Sequence, residues 1–111
     1  MSDCLFCKIA AGDIPCNKIY EDDNFLAFHD INPKAPVHVL VIPKQHLASL
    51  NDATDMDTPL LGQLMDATRK VAKDLGVDDP GYRVIINVGE GGGQEVFHIH
   101  VHILGGKKLP F

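Results

Sequence analysis

Near the end of the chain, Phe97-His98-Ile99-His100-Val101-His102-Ile103 alternates histidine with apolar residues. A period of two is the mark of an extended strand, whose successive side chains point to opposite faces. The apolar row therefore faces a core, and the three imidazoles share the other side. A helix would scatter both sets around its circumference.

The rest of the chain supplies partners for such a strand. Lys18–Glu21 and Phe25–Asp30 read as two strands joined by the turn Asp22-Asp23-Asn24, and Asn32-Pro33 breaks the second. Val37–Pro43 is a third, mostly apolar and therefore central. Tyr82–Val88 and Val96–Leu104 form the fourth and fifth, separated by a glycine-rich turn. Leu5–Ala11 is a short helix that Gly12 terminates. Lys44–Asp57 is polar and reads as a loop. Thr58 then caps a long helix with Pro59 in its first turn. Leu60, Leu61, Leu64, Thr68, Val71, Ala72 and Leu75 recur at helical spacing along it, and Gly76 stops it. Five strands with one long helix cannot build repeated parallel crossovers, each of which needs a dozen or more residues. The fold class is α+β: a mainly antiparallel five-stranded sheet covered by the helix, as one domain over residues 1–111.

Composition narrows the function classes. Hydrophobic residues at 45% and charged residues at 23% suit a packed core rather than disorder. A formal charge of −5 disfavours broad attachment to nucleic acid or anionic membranes, while leaving room for a small phosphate pocket. The apolar run Val39–Ile42 is far shorter than the ~20 residues that span a bilayer. Met1-Ser2-Asp3-Cys4 lacks the basic lead-in of a signal peptide, so a cytoplasmic location is expected. Three cysteines, an odd number, argue against a disulfide framework.

The imidazole row has three readings: one metal site, a solvated face, or divided labour. On a regular strand His98 and His102 originate about 13 Å apart. Both would have to come within ~2.0–2.1 Å of a single zinc ion, which only a fold in the strand allows. Histidine is also not a favoured strand residue, which disfavours mere solvation. Divided labour remains. A neutral imidazole can attack phosphorus and form a bond that water later cleaves. His100, flanked on both sides, is the best nucleophile.

Upstream, Gly89-Glu90-Gly91-Gly92-Gly93-Gln94 can adopt positive φ and aim amides at phosphate oxygens, or can serve simply as a hairpin turn. It lacks Gly-Lys-Ser/Thr and leads into a strand, so it is neither a Walker loop nor a dinucleotide fingerprint. Cys4-x-x-Cys7 is half of a metal site or a pair of small core thiols. His38 is either a satisfied core histidine or a partner of the imidazole row, and His29 reads as a surface or structural residue.

His98-Ile99-His100-Val101-His102-Ile103-Leu104 resembles the motif of the histidine triad family, His-φ-His-φ-His-φ-φ with φ apolar. The similarity extends through Ile14-Pro15, Tyr20-Glu21-Asp22, Ala27–Ile31, Ala35–His38, Val41–Lys44, Asn87 and Gly93-Gln94, from about Cys4 to Gly106. Leu104-Gly105-Gly106 points to the nucleotide-binding, purine phosphoramidase-like branch. The resemblance implies a two-fold homodimer that binds purine nucleotides and hydrolyses a bond at the α-phosphate, with no cofactor required for the chemistry.

By the same resemblance, His100 attacks phosphorus, while His102 and His38 flank the phosphate. Asn87, Gly93, Gln94 and Glu95 surround the ribose-phosphate part. Asp30 meets the ribose hydroxyls, and Phe28 and Ile31 line the purine pocket. Cys4, Cys7, His46 and His98 match the ligands of a structural zinc found in some members. Two departures bear on specificity. Glu95 stands where many members have serine or threonine, and the terminal Lys107–Phe111 lacks the Trp-Pro-Pro tail of some relatives. Besides phosphoramidate hydrolysis, dinucleoside polyphosphate hydrolysis and a low-turnover nucleotide-binding dimer remain as alternatives.

Overall fold

The structure, a computed structural model, describes residues 3–111; Met1 and Ser2, which belong to the stretch read above for a leader, lie outside the described residues. Its elements are α1 (Leu5–Ala10), β1 (Lys18–Glu21), β2 (Phe25–His29), β3 (Val37–Pro43), α2 (Thr58–Asp74), β4 (Arg83–Ile85) and β5 (Val101–Gly105). The strands form one antiparallel sheet in the order β1-β2-β3-β5-β4. The expected α+β class with one long and one short helix is what the chain adopts.

Both sheet faces are covered, by different helices. Phe25 and Ala27 of β2, Val39 and Val41 of β3, and Val101 and Ile103 of β5 pack beneath Leu64, Ala67 and Val71 of α2. Each large aliphatic side chain buried there contributes about 1.5–3 kcal/mol. The alternate positions Leu26, Phe28, Leu40 and Ile42 pack against Phe6 and Ile9 of α1. Strand alternation thus puts His38 and His102 on the α1 side, away from the long helix.

Several boundaries differ from the sequence reading. β5 begins at Val101 rather than Val96, so only His102 of the three histidines lies on a regular strand. The preceding segment is tied differently. Ile99 donates its N–H to the Leu47 carbonyl at 2.7 Å, and the His98 ring bonds to the Pro43 carbonyl. These anchors replace a strand ladder. The alternation still holds for Ile99, Val101 and Ile103, which are buried, but Phe97 is 49% exposed and does not join the core row.

β4 is Arg83–Ile85 rather than Tyr82–Val88, because the chain leaves the sheet early to enter the glycine-rich segment. That segment is a 3-10 turn over Glu90–Gly92, flanked by Gly89 at φ +70° and Gly93 at φ +82°, values that favour glycine. β2 stops at His29 and α1 at Ala10. The stretch read as loop contains 3-10 turns at Leu50–Asp52 and Asp55–Asp57, the second closed by a Thr54–Asp57 capping box. That turn runs directly into α2, so Thr58 is helical rather than its cap. None of the described helices is long and apolar enough to cross a membrane.

Candidate active site and metal centre

A cavity of about 360 Å³ opens on the α1 side of the sheet. Phe28, Asp30, Ile31, Asn87, Gly93, Glu95, His100 and His102, all singled out in the sequence, line it. Ile31 is 92% exposed and belongs to the rim, whereas Phe28 is buried. His38 and Gln94 stand behind this surface rather than on it. A larger groove of about 660 Å³ beside the C-terminal residues contains none of the histidines or cysteines.

Backbone hydrogen bonds fix the ring states. His100 Nδ1 lies 2.8 Å from the His98 carbonyl, which can only accept, so Nδ1 carries the proton. In the neutral ring this leaves Nε2 with a free lone pair. Burial pushes the His100 imidazole below its ordinary range, favouring that neutral form. Phe6 packs edge-on against the ring with centroids 5.1 Å apart. The result is a held, unprotonated ring nitrogen on a ligand-sized cavity.

A second chain of bonds orders the other two rings. The Lys34 backbone N–H donates to His38 Nδ1 at 3.0 Å, so the His38 proton sits on Nε2. That N–H donates to His102 Nδ1 at 2.9 Å, which places the His102 proton on its own Nε2. The His102 Nε2 atom is buried and has no partner among the described residues. Such an orphaned donor is costly unless a ligand satisfies it, and an anionic oxygen would do so well. Desolvation, reinforced by the neighbouring rings, pushes His102 down to about 4, and burial lowers His38 as well. Asp30 Oδ2 approaches His38 Nε2 at 3.4 Å, while its Oδ1 accepts the Asn32 N–H at 2.8 Å. Asp30 therefore starts the turn and lines the cavity as well.

Gln94 has a distinct task. Its buried amide donates to the Ala48 and Val96 carbonyls at 2.7 and 3.0 Å and accepts from the Gly89 N–H at 2.9 Å. Its polar atoms are spent on holding the glycine-rich segment to the body of the fold.

The second centre lies where α1 meets the segment after β3. Cys4, Cys7, His46 and His98 each offer one atom, all within 4.8 Å of one another. Cys4 Sγ and His98 Nδ1 are 3.3 Å apart, Cys7 Sγ and His46 Nδ1 3.3 Å, Cys7 Sγ and His98 Nδ1 3.5 Å, and the two Nδ1 atoms 3.3 Å. Ligands at ~2.0–2.3 Å from a tetrahedral ion are separated by about 3.3–3.7 Å, so the four atoms fit such an ion. Protonation agrees. His98 Nε2 donates to the Pro43 carbonyl at 2.7 Å, leaving the Nδ1 lone pair aimed at the cluster. Two donors come from a helical turn in which Cys4 Sγ also accepts the Cys7 N–H at 3.4 Å.

Residues without a sequence signal complete both centres: Phe6 against His100, the Pro43 carbonyl behind His98, and the Lys34 amide behind His38. Cys16 also lines the cavity, outside the Cys4–Cys7–His46–His98 cluster. Backbone groups leave no mark on composition. Phe6 could have been found only from its place between the two cysteines.

Comparison with known proteins places this geometry in a family. The HIT domain matches residues 11–109. Protein HitA of Neisseria gonorrhoeae is 51% identical over 105 residues, covering 95% of this chain and 97% of its own. The crystal structure of a HIT family hydrolase from Legionella pneumophila superposes with a TM-score of 0.95 at 50% identity, over 98% of this chain and 97% of that one. A zinc-bound histidine triad family protein from Mycobacterium smegmatis gives a TM-score of 0.78 at 38% identity, covering 99% and 81% of the two chains. With a matching domain over most of its length and relatives at half identity, the chain belongs to the HIT family.

Proposed function

We propose that this protein is a purine-nucleotide-binding hydrolase that cleaves at the α-phosphate through a nucleotidyl-histidine, with a phosphoramidate as the bond cut. The observation that carries the reading is the 2.8 Å contact of His100 Nδ1 with the His98 carbonyl, which assigns the proton to Nδ1 and leaves the lone pair on Nε2 of a ring that lines the cavity. A neutral imidazole presented this way is a nucleophile that needs no preliminary deprotonation.

The step balances simply. His100 Nε2 forms a bond to phosphorus as the phosphorus–nitrogen bond to the leaving amine breaks, and the amine departs with a proton from solvent. The ring gains positive charge, which the His98 carbonyl stabilises through Nδ1–H. The orphaned Nε2–H of His102 donates to a phosphate oxygen, and Gly93 permits close backbone approach. Water then attacks phosphorus, the bond to Nε2 breaks with its electron pair returning to the ring, the attacking water gives up a proton to solvent, and the nucleotide leaves. Phe28 and Ile31 provide an apolar wall and rim for the base, with Asp30 and Asn87 beside the ribose-phosphate.

A structural zinc ion on Cys4, Cys7, His46 and His98 belongs to the same reading. Cys4, Cys7, His46 and His98 would fill all four positions of a tetrahedral ion, tying α1 to the segments carrying His46 and His98 and leaving none open for substrate. A homodimer belongs to it too, supported by the open β4 edge and its exposed Val84. So does a reducing cytoplasm, which would keep Cys4 and Cys7 available as metal ligands and Cys16 as a thiol. The test is hydrolysis of AMP joined to a simple amine: wild-type protein turns it over and His100→Ala loses at least about 10³-fold in kcat. Retained turnover in a folded variant contradicts the assignment.

A further inference from the structure

We propose that Glu95 selects the leaving group, favouring conjugates whose departing amine bears a further positive charge and disfavouring those bearing a negative one. The inference rests on the hydrolase reading above and names the substrate charge that site prefers.

Its basis is the charge inventory of the cavity. Asp30 and Glu95 both line it, and among the described lining residues there is no lysine or arginine. The His102 ring accepts the His38 N–H at Nδ1 and so carries a single proton, on Nε2, and does not offset the two carboxylates; His29 and His100 are the other imidazoles on the cavity wall. Lys34 acts on His38 and His102 but does not line the cavity. A phosphate here meets hydrogen-bond donors instead of fixed cations, and further negative charge on a substrate is repelled.

The two carboxylates differ in their commitments. Asp30 is bonded to the Asn32 amide and lies near His38. Glu95 is exposed, and its carboxylate makes no hydrogen bond or ion pair with the described residues. Its backbone is nevertheless well placed. The neighbouring Gln94 is buried and pinned by three hydrogen bonds, so Glu95 projects from a fixed point at the end of the glycine-rich turn. A residue carrying an unpaired carboxylate, on a backbone pinned through Gln94 and lining the same cavity as His100 and His102, acts as a charge filter for the group being expelled. A unit charge held roughly 6 Å away at an intermediate dielectric changes affinity by about tenfold for either sign.

The test uses three AMP phosphoramidates with the same linking nitrogen and a propyl chain ending in methyl, ammonium or carboxylate. kcat/KM is measured at about 0.05 M and about 0.5 M salt for wild type, Glu95→Gln and Glu95→Ser. Wild type should prefer the ammonium over the carboxylate conjugate by about tenfold to a hundredfold, less so at high salt. Both variants should bring the ratio to within about threefold of one. A wild-type ratio near or below one, or a preference that both variants keep, overturns the proposal. Should wild type cleave none of the three, the hydrolase reading fails. The proposal is then decided by Kd for the intact conjugates: an ammonium preference abolished by Glu95→Gln supports it, and equal affinities overturn it.

Discussion

The His98 carbonyl accepts the Nδ1–H of His100 at 2.8 Å, while the His98 ring points its Nδ1 into the Cys4–Cys7–His46 cluster. One residue thus belongs to both centres, through its backbone in one and its side chain in the other. Phe6 adds a second link. It lies between the two cysteines on α1 and packs edge-on against both His98 and His100. Order at the Cys4–Cys7–His46–His98 cluster would therefore bear directly on the ring proposed to attack phosphorus.

Cys7→Ser should consequently lose more than its ion. Wild type is expected to carry about one zinc per chain by elemental analysis, and the variant far less. Melting should fall by about 10 °C or more, since a bound structural ion stabilises the folded state by mass action. Turnover should fall by about tenfold at temperatures where the variant is still folded, because the His98 carbonyl is less firmly held. A variant with wild-type melting and no zinc would reject a structural role for the ion.

The His38–His102 pair makes a prediction about pH. His102 is pushed down to about 4 from an ordinary 6.5 by desolvation first and by neighbouring rings second. The fold therefore favours the neutral ring. Its contribution to stability is fully present above about pH 6.5 and is lost as pH falls from there toward about 4, where the unfolded chain binds the proton first. Ring-nitrogen NMR should show His102 still neutral at pH 5, with the proton on Nε2. A midpoint near 6.5, or a proton on Nδ1, would contradict the hydrogen-bond chain running from the Lys34 amide.

Truncating Gln94 tests whether the glycine-rich segment is held from behind. Gln94→Ala removes partners from the Gly89 amide and from the Ala48 and Val96 carbonyls. It should cost about 1–3 kcal/mol in urea unfolding. Nucleotide affinity should weaken as Gly93 loses its fixed place. Stability within about 0.3 kcal/mol of wild type would show that water replaces these bonds without loss.

Much of this arrangement was legible in the sequence because it depends on periodicity. Alternating apolar residues placed Ile99, Val101 and Ile103 in the core, and helical spacing placed Leu64 and Val71 over them. The ligand set Cys4, Cys7, His46 and His98 came from resemblance, and the four side chains do meet. The strand boundary at Val101 was hidden because Phe97–His100 has the same alternation as a strand. Its hydrogen bonds, however, go to Leu47 and Pro43, which lie far away in sequence. For the same reason Phe97 reads as core and is exposed. Gln94 was grouped with the ligand contacts, yet it faces the loop it supports. Tautomers were beyond sequence altogether, since the carbonyls and amides that set them are present at almost every position.

The most direct measurement is intact-mass analysis of a rapidly quenched reaction with an AMP–amine conjugate, followed by peptide mapping. The account predicts one AMP attached to each reacting chain, located at His100 and absent from a folded His100→Ala variant. Turnover without any such adduct in that time course, or an adduct mapped to His102 or His38, would contradict it.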